Sequence, residues 1–102
     1  MAITRQPTAQ ELGVVFATRA RQESIVRELW VSEARDGVHL WLLIDPLEDD
    51  DAERALYGMS DVLDERFPEA AYQVHVFNPI DFRSDPRTSL PVSAVQIPLR
   101  AA

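Results

Sequence analysis

The side chains best suited to acid–base or metal chemistry in this chain are its two histidines, His39 and His75. Each lies in the middle of a run rich in β-branched and aromatic residues, so both are predicted on strands, on one face of a sheet. A zinc site with two histidines normally needs a third protein ligand, and no carboxylate shares that face in these runs. We therefore expect no metal site and no resident cofactor, and imidazoles that are hydrogen-bonded beside aromatic side chains.

Other catalytic patterns are incomplete. The chain has no cysteine, which removes thiolate zinc sites and cysteine nucleophiles together. Ser32, Ser60 and Ser93 lack the flanking glycines of a nucleophile elbow, and the three glycines are isolated, so no phosphate-binding loop is predicted. These absences indicate a protein that is not an enzyme.

The acidic run 48–53 resembles a cation-binding loop only superficially. A calcium loop needs glycine at its sixth position and glutamate at its twelfth, and this run has neither, counted from Asp45 or from Asp49. Carboxylates in the first turn of a helix stabilise it by complementing the helix dipole. We interpret the run as the start of a helix.

Charge and length limit the possible partners and location. The 102 residues carry a net charge of −7, and all ten basic residues other than histidine are arginine. Such a field repels phosphate backbones, so nucleic acid is not expected as a partner. No apolar run approaches the roughly 20 residues of a spanning helix, and the first seven residues lack a signal-peptide core. We expect a single cytoplasmic domain with no membrane partner.

The predicted elements alternate between helix and strand. A capping box at Thr8 and Glu11 begins a helix, and Asp36-Gly37 predicts a hairpin turn. An amphipathic stripe indicates a second helix that Phe67-Pro68 ends. The fold class is α/β (α+β) with a small three- to four-stranded mixed sheet, and its predicted segments are a helix over 9–22, strands over 25–34, 38–45 and 72–77, and a second helix from about residue 52.

The hairpin pattern assigns side chains to two faces. With Asp36 and Gly37 as the two loop residues, Leu29 is expected opposite Ile44 and Val31 opposite Leu42. The first face then comprises Leu29, Val31, Val38, Leu40, Leu42 and Ile44. The second face comprises Val26, Trp30, Ala34, His39, Trp41 and Leu43, and His75 and Phe77 of the third strand join it. Either the first helix covers this second face, or its cover is partial and the aromatic side chains form a binding surface.

The two ends of the chain differ from the middle. Residues 1–7 are expected to be a flexible N-terminus. Residues 79–102 contain four prolines and are predicted to form an extended C-terminal arm, because proline denies ladder hydrogen bonds. Within the arm, residues 92–97 either add an edge strand or stay on the surface.

The stretch from Ser32 through the hairpin and helix to the Val-His-Val-Phe-Asn segment resembles a nucleotidyltransferase core of the polymerase-β type. In that family a Gly-Ser motif precedes a strand with two metal-binding carboxylates. Here Val31 replaces the glycine, and the strand positions around Val38 to Leu40 are not acidic. The resemblance implies a degenerate, non-catalytic derivative, with a residual nucleotide site at Ser32, Asp36 and Asp45.

Two functions follow as hypotheses. The first is a small non-enzymatic interaction or regulatory protein, antitoxin-like or an assembly partner, that binds another protein or a second copy of itself. Its surface would comprise Trp30, His39, Trp41, His75 and Phe77. The alternative is a nucleotidyltransferase-like enzyme or a nucleotide-binding domain with a degenerate site. A structural subunit whose second sheet face another chain completes is a third possibility.

Overall fold

The structure, a computed structural model, describes residues 6–100. Residues 1–5 of the predicted flexible segment 1–7 therefore lie outside the described residues. Within them the chain forms three α-helices and four strands. Their bounds are α1 Ala9–Ala20, β1 Val26–Ala34, β2 Gly37–Ile44, α2 Asp50–Tyr57, α3 Asp61–Arg66, β3 Tyr72–Phe77 and β4 Val95–Ile97. The predicted mixed α/β class is confirmed.

The four strands form one open sheet in the order β3-β2-β1-β4. The hairpin β1–β2 and the pair β1–β4 are antiparallel, and β2–β3 is parallel. The parallel pair follows from the strand–helix–strand order, because a helical crossover returns the chain in its original direction. β3 and β4 are therefore the two edge strands of the sheet.

The hairpin register differs from the predicted one by two residues. Leu29 pairs with Leu42 and Val31 with Leu40, and the turn residues are Arg35 and Asp36. Since side chains alternate with a period of two, a two-residue shift leaves the faces unchanged. Val26 is the exception, because an irregularity between Val26 and Glu28 pairs it with Ile44 and buries it in the core of the first face.

Gly37 sets the position of the turn. Its φ is +123°, and no described residue other than glycine has a positive φ. The turn is therefore not the type I′ expected for Asp36-Gly37, which needs positive φ at both central residues. A Cβ on Gly37 would also lie 2.4 Å from the carbonyl oxygen of Ala71, so glycine lets the end of the hairpin approach the start of β3.

All three helices lie on the first face of the sheet. A Cβ on Gly13 of α1 would fall 2.8 Å from Ile97 and 3.0 Å from Val31, which places α1 against β1 and β4. Leu56 of α2 and Leu63 of α3 are buried in the same apolar core. The interpretation that α1 covers the second face is therefore wrong. No helix within residues 6–100 is long and apolar enough to cross a membrane.

The predicted second helix is divided in two. Asp49 caps α2 by accepting hydrogen bonds from the backbone N–H groups of Asp51 and Ala52, so the acidic run does begin a helix. A short 3₁₀ turn at Gly58–Ser60 then separates α2 from α3. The apolar stripe continues across this break, because Leu56, Met59 and Leu63 are all buried.

The C-terminal arm, residues 79–100 in the structure, crosses the second face and returns to the sheet. It leaves β3 through a 3₁₀ turn at Pro79–Asp81, and a second such turn spans Pro86–Ser89. The arm ends in β4, which pairs with β1, so the edge-strand option for residues 92–97 is confirmed over three residues. Ile97 and Leu99 are buried, which makes the end of the arm part of the core.

Candidate functional site

The second face of the sheet carries side chains in three rows that cross the strands. Directly paired positions on β3, β2 and β1 define each row, and the rows are Phe77–Leu43–Glu28, His75–Trp41–Trp30 and Gln73–His39–Ser32. The parallel pairing of β2 with β3 thus brings both histidines to neighbouring positions. The hairpin turn adds Asp36 at the end of this face.

Asp36, His39 and His75 form a continuous chain of hydrogen bonds. His39 Nε2 lies 2.8 Å from Asp36 Oδ1, and His39 Nδ1 lies 2.9 Å from His75 Nε2. Gln73 Nε2 donates to the other carboxylate oxygen of Asp36 at 3.4 Å. The prediction that the imidazoles are hydrogen-bonded is confirmed. Their partners are each other and Asp36, a carboxylate of the hairpin turn that the sequence did not place beside the histidines.

The two imidazoles lie side by side rather than face to face. Their planes differ by 9° and their centres are 5.2 Å apart, which is the separation that two rings joined edge to edge by a 2.9 Å hydrogen bond require. Trp41 lies nearly parallel to both, with its ring centre 5.5 Å from that of His75 and 5.8 Å from that of His39. Trp41 is 7% exposed, so the pair adjoins a buried indole.

The electrostatics of the chain favour a charged Asp36 and a neutral His75. The hydrogen bond from His39 lowers the pKa of the Asp36 carboxyl. Burial lowers the pKa of His75 below its ordinary 6.5, and the neighbouring His39 lowers it further, while Asp36 opposes both effects. Among residues 6–100 no buried side-chain nitrogen or oxygen lacks a partner, so the remaining His75 nitrogen, Nδ1, reaches solvent.

The arrangement does not activate a nucleophile. Ser32 is directly opposite His39 on β1, but its hydroxyl is 3.1 Å from the hydroxyl of Ser93 on the arm. Both nitrogens of His39 are already engaged by Asp36 and His75. Within the described residues, no group of three or more histidine and carboxylate side chains is placed to hold a metal ion.

Two further contacts hold the arm on this face. Arg87 forms a bidentate ion pair with Glu28, whose other hydrogen bond comes from the indole nitrogen of Trp30 at 2.8 Å. These hydrogen bonds lower the pKa of Glu28. Phe82 packs on Phe77 with ring centres 4.9 Å apart. Polar and aromatic contacts therefore attach the arm to β1 and β3.

The predicted binding surface is largely covered. Of its five residues Trp41 is buried, and the other four, Trp30, His39, His75 and Phe77, are half-buried. The structure brings them onto one face as predicted, but the arm packs on Phe77 through Phe82 and on Glu28, the partner of Trp30, through Arg87. Among residues 6–100 the exposed large apolar side chains lie elsewhere, at Val14, Tyr57, Ile80, Val92 and Val95.

The predicted nucleotide site is not brought together. Asp36 and Asp45 lie at opposite ends of β2, whose eight residues separate them by roughly 25 Å. Asp45 forms an ion pair with Arg27 at 2.8 Å, and Ser32 is held by Ser93. The three side chains therefore belong to three different environments.

Sequence reasoning missed the outer edge of β3. Ala71 O accepts a hydrogen bond from Val38 N, so the backbone groups of residues 71, 73, 75 and 77 point toward β2 in the parallel ladder. Those of Tyr72, Val74 and Val76 point away, and we call them the free edge. Only Val76 N has a partner within residues 6–100, the hydroxyl of Tyr57 at 3.4 Å. β3 is an edge strand because of the strand order of the sheet. That order depends on how the strands pair and not on the sequence of β3 itself.

Carboxylates flank the free edge on both faces of the sheet. On the first face, Asp64 of α3 accepts a hydrogen bond from the Tyr72 hydroxyl, and Asp61 adds further negative charge beside it. On the second face, Asp36 bonds Gln73. β3 itself contains neither proline nor lysine, which many proteins use to block an edge strand.

Comparison of the chain with protein-family models, with curated proteins and with solved structures returns no match. The geometry of the described residues is therefore the basis for the function proposed below.

Proposed function

We propose that this chain is a non-enzymatic interaction protein that binds an extended, basic segment of another protein along the free edge of β3. The observation that supports the proposal is the outward row of backbone groups at Tyr72 and Val74, which no described group satisfies. An edge strand of this kind binds a partner strand through main-chain hydrogen bonds.

The free edge of β3 is better suited to binding a partner strand than β4 or the arm is. β4 has only three residues, whereas β3 has six. An extended arm can add a strand to a partner's sheet, but the strand of this arm already pairs with β1 of the same chain. The arm therefore cannot supply this strand to another sheet without opening the core around Ile97.

Charge indicates the class of partner. The carboxylates of Asp36, Asp61 and Asp64 lie beside the edge, and the whole chain carries −7. A segment with arginine or lysine would associate faster with this surface and would be stabilised on it. A second copy of the chain would instead bring like charges together. It is therefore the less favourable occupant of the free edge.

A matched pair of variants tests the proposal. Val74→Pro removes an outward N–H and leaves the ladder to β2 intact, since proline is tolerated on edge strands where the lost N–H faces solvent. Val74→Ala shortens the same half-buried side chain and keeps the N–H. We expect tagged wild type and Val74→Ala to retain the same stoichiometric partner from the native host, and Val74→Pro to lose at least about 90% of it, a change of tenfold or about 1.4 kcal/mol.

Hydrogen exchange on the recovered complex locates the contact. The N–H groups of Tyr72 and Val74 should become protected when the partner is bound. A partner that Val74→Pro retains as well as Val74→Ala does, or a wild-type chain that captures none, would count against the proposal. A wild-type homodimer that Val74→Pro converts to monomer would replace the basic partner with a second copy.

A further inference from the structure

The hydrogen bond between His39 and His75 depends on protonation in a way that most cross-strand contacts do not. An imidazole nitrogen accepts a hydrogen bond only when it carries no proton, and a doubly protonated imidazolium is a donor at both nitrogens. The 2.9 Å contact between His39 Nδ1 and His75 Nε2 therefore requires one of these two nitrogens to be unprotonated.

We propose that Asp36, His39 and His75 form a proton-sensitive clamp that holds β3 on the hairpin at neutral pH and releases it when both imidazoles are protonated. The inference goes beyond the proposed function and does not depend on it, because it concerns the attachment of β3 to β2 rather than the outer edge.

The first proton is compatible with the clamp. A protonated His39 donates from Nε2 to the Asp36 carboxylate and from Nδ1 to His75 Nε2, so both contacts persist with a neutral His75. The second proton is not compatible with it. Both nitrogens at the 2.9 Å contact then carry hydrogens, no acceptor remains, and two like charges face each other.

The surroundings supply one compensating charge but not two. Asp36 of the hairpin turn is the carboxylate in contact with the pair, and β3 contributes the uncharged Gln73. From β1 the neighbouring position is Ser32, which the arm covers with Ser93. Glu28 lies in the row next to that of His75 but two strands away, and it is already neutralised by Arg87 of the arm. The helices lie on the other face of the sheet.

The direction of the pH effect follows from the burial of the pair. Because burial and His39 lower the pKa of His75, the unfolded chain binds a proton at this residue at higher pH than the folded chain does. Between 6.5 and the lower folded value, the unfolded state binds more protons, so stability falls as pH falls. The contribution of the clamp to stability is therefore complete above about pH 6.5, the ordinary histidine value, and falls on acidification below it. The contact itself is lost in the folded state only when the pH falls through the lower pKa of His75.

Loosening this contact acts on β3 specifically. The contact joins β2 to β3 within their parallel ladder, because His39 is on β2 and His75, which pairs with Trp41, is on β3. Acidification should therefore increase the opening of the inward N–H groups at residues 73, 75 and 77, while those of the β1–β2 hairpin stay protected.

Stability measured from pH 7.5 to 5.0 in wild type and in His75→Gln tests the clamp. Glutamine can bond the same His39 nitrogen and does not titrate. We expect the folding equilibrium constant of wild type to fall by up to about tenfold per pH unit below 6.5, and that of His75→Gln to change at most half as steeply on a logarithmic scale. Wild-type stability that is constant over this range, or an equal slope in both proteins, would overturn the proposal.

Titration of the wild-type imidazoles by NMR keeps the test decisive if His75→Gln does not fold. The clamp predicts two coupled titrations, the second of them below the ordinary histidine value, as for a strongly coupled pair. It also predicts that exchange at residues 73, 75 and 77 accelerates with the second titration. Two independent titrations at ordinary histidine values would contradict it.

Discussion

At the scale of single residues, Asn78 has the largest structural role relative to its sequence signal. It is fully buried at the end of β3 and bonds both backbone groups of Leu47, accepting from the N–H at 3.2 Å and donating to the carbonyl at 2.5 Å. It also accepts from Ile80 N at 3.4 Å. One amide thus ties the loop before α2 to the start of the arm. In the sequence, the proline after Asn78 indicates only the end of a strand.

Replacing Asn78 with alanine should lower the free energy of unfolding by about 2–4 kcal/mol, because it leaves the two backbone groups of Leu47 without their partner in a buried site. Urea denaturation followed by tryptophan fluorescence measures the change. Ser84→Ala, on an exposed part of the arm, is the control and should change stability by less than about 0.5 kcal/mol. A loss at Asn78 as small as this control would show that water replaces the amide.

At the scale of secondary-structure elements, β4 is small but connects the arm to the core. Ile97 is 3% exposed and packs where α1 approaches most closely, at Gly13. Its neighbour Val95, on the same strand, is 56% exposed. Both side chains point to the first face, yet only Ile97 lies beneath α1.

This difference gives a matched comparison within one strand. Ile97→Ala should cost about 2–5 kcal/mol, the usual range for truncating a buried isoleucine. Val95→Ala should cost less than about 0.5 kcal/mol, because an exposed position loses little burial. Thermal melts of the two variants beside wild type decide the matter. Equal effects would mean that β4 is not docked against α1.

At the scale of the whole molecule, the arm is part of the folded unit rather than an appendage. It contributes β4, the buried Leu99, the Arg87–Glu28 ion pair and the Ser93–Ser32 contact. Arg100 adds a hydrogen bond to the carbonyl of Val26 at 3.0 Å. Without these residues β1 would lose its outer neighbour in the sheet, and Glu28 and Ser32 on the second face would lose their partners in the arm.

Deleting residues 85–102 should therefore abolish cooperative unfolding or lower the midpoint by more than about 10 °C, since several kcal/mol of burial are removed from a domain of this size. Circular dichroism during heating measures this. Val92→Ser, at a fully exposed turn position, should melt like wild type. A truncated chain that melts cooperatively at the wild-type temperature would show that the arm is dispensable for folding.

The sequence by itself determined the local elements of the fold. Thr8 and Glu11 form the predicted capping box, β3 spans the predicted Tyr72–Phe77, and the period-two pattern assigned the first face correctly. These outcomes depend on hydrogen bonds and burial preferences that act within a few residues. The exclusion of a nucleophile elbow and of a glycine-rich phosphate loop likewise needed only spacing.

Tertiary structure decided the hairpin register, the side of the sheet on which α1 packs, the covering of the second face by the arm, and the Asp36–His39–His75 chain. Each of these depends on contacts between residues far apart in sequence, such as Gly13 with Ile97. Short-range patterns do not encode which of two apolar faces a helix covers, because either choice buries apolar area. The free edge of β3 exists for the same reason, since strand order is a property of the whole sheet.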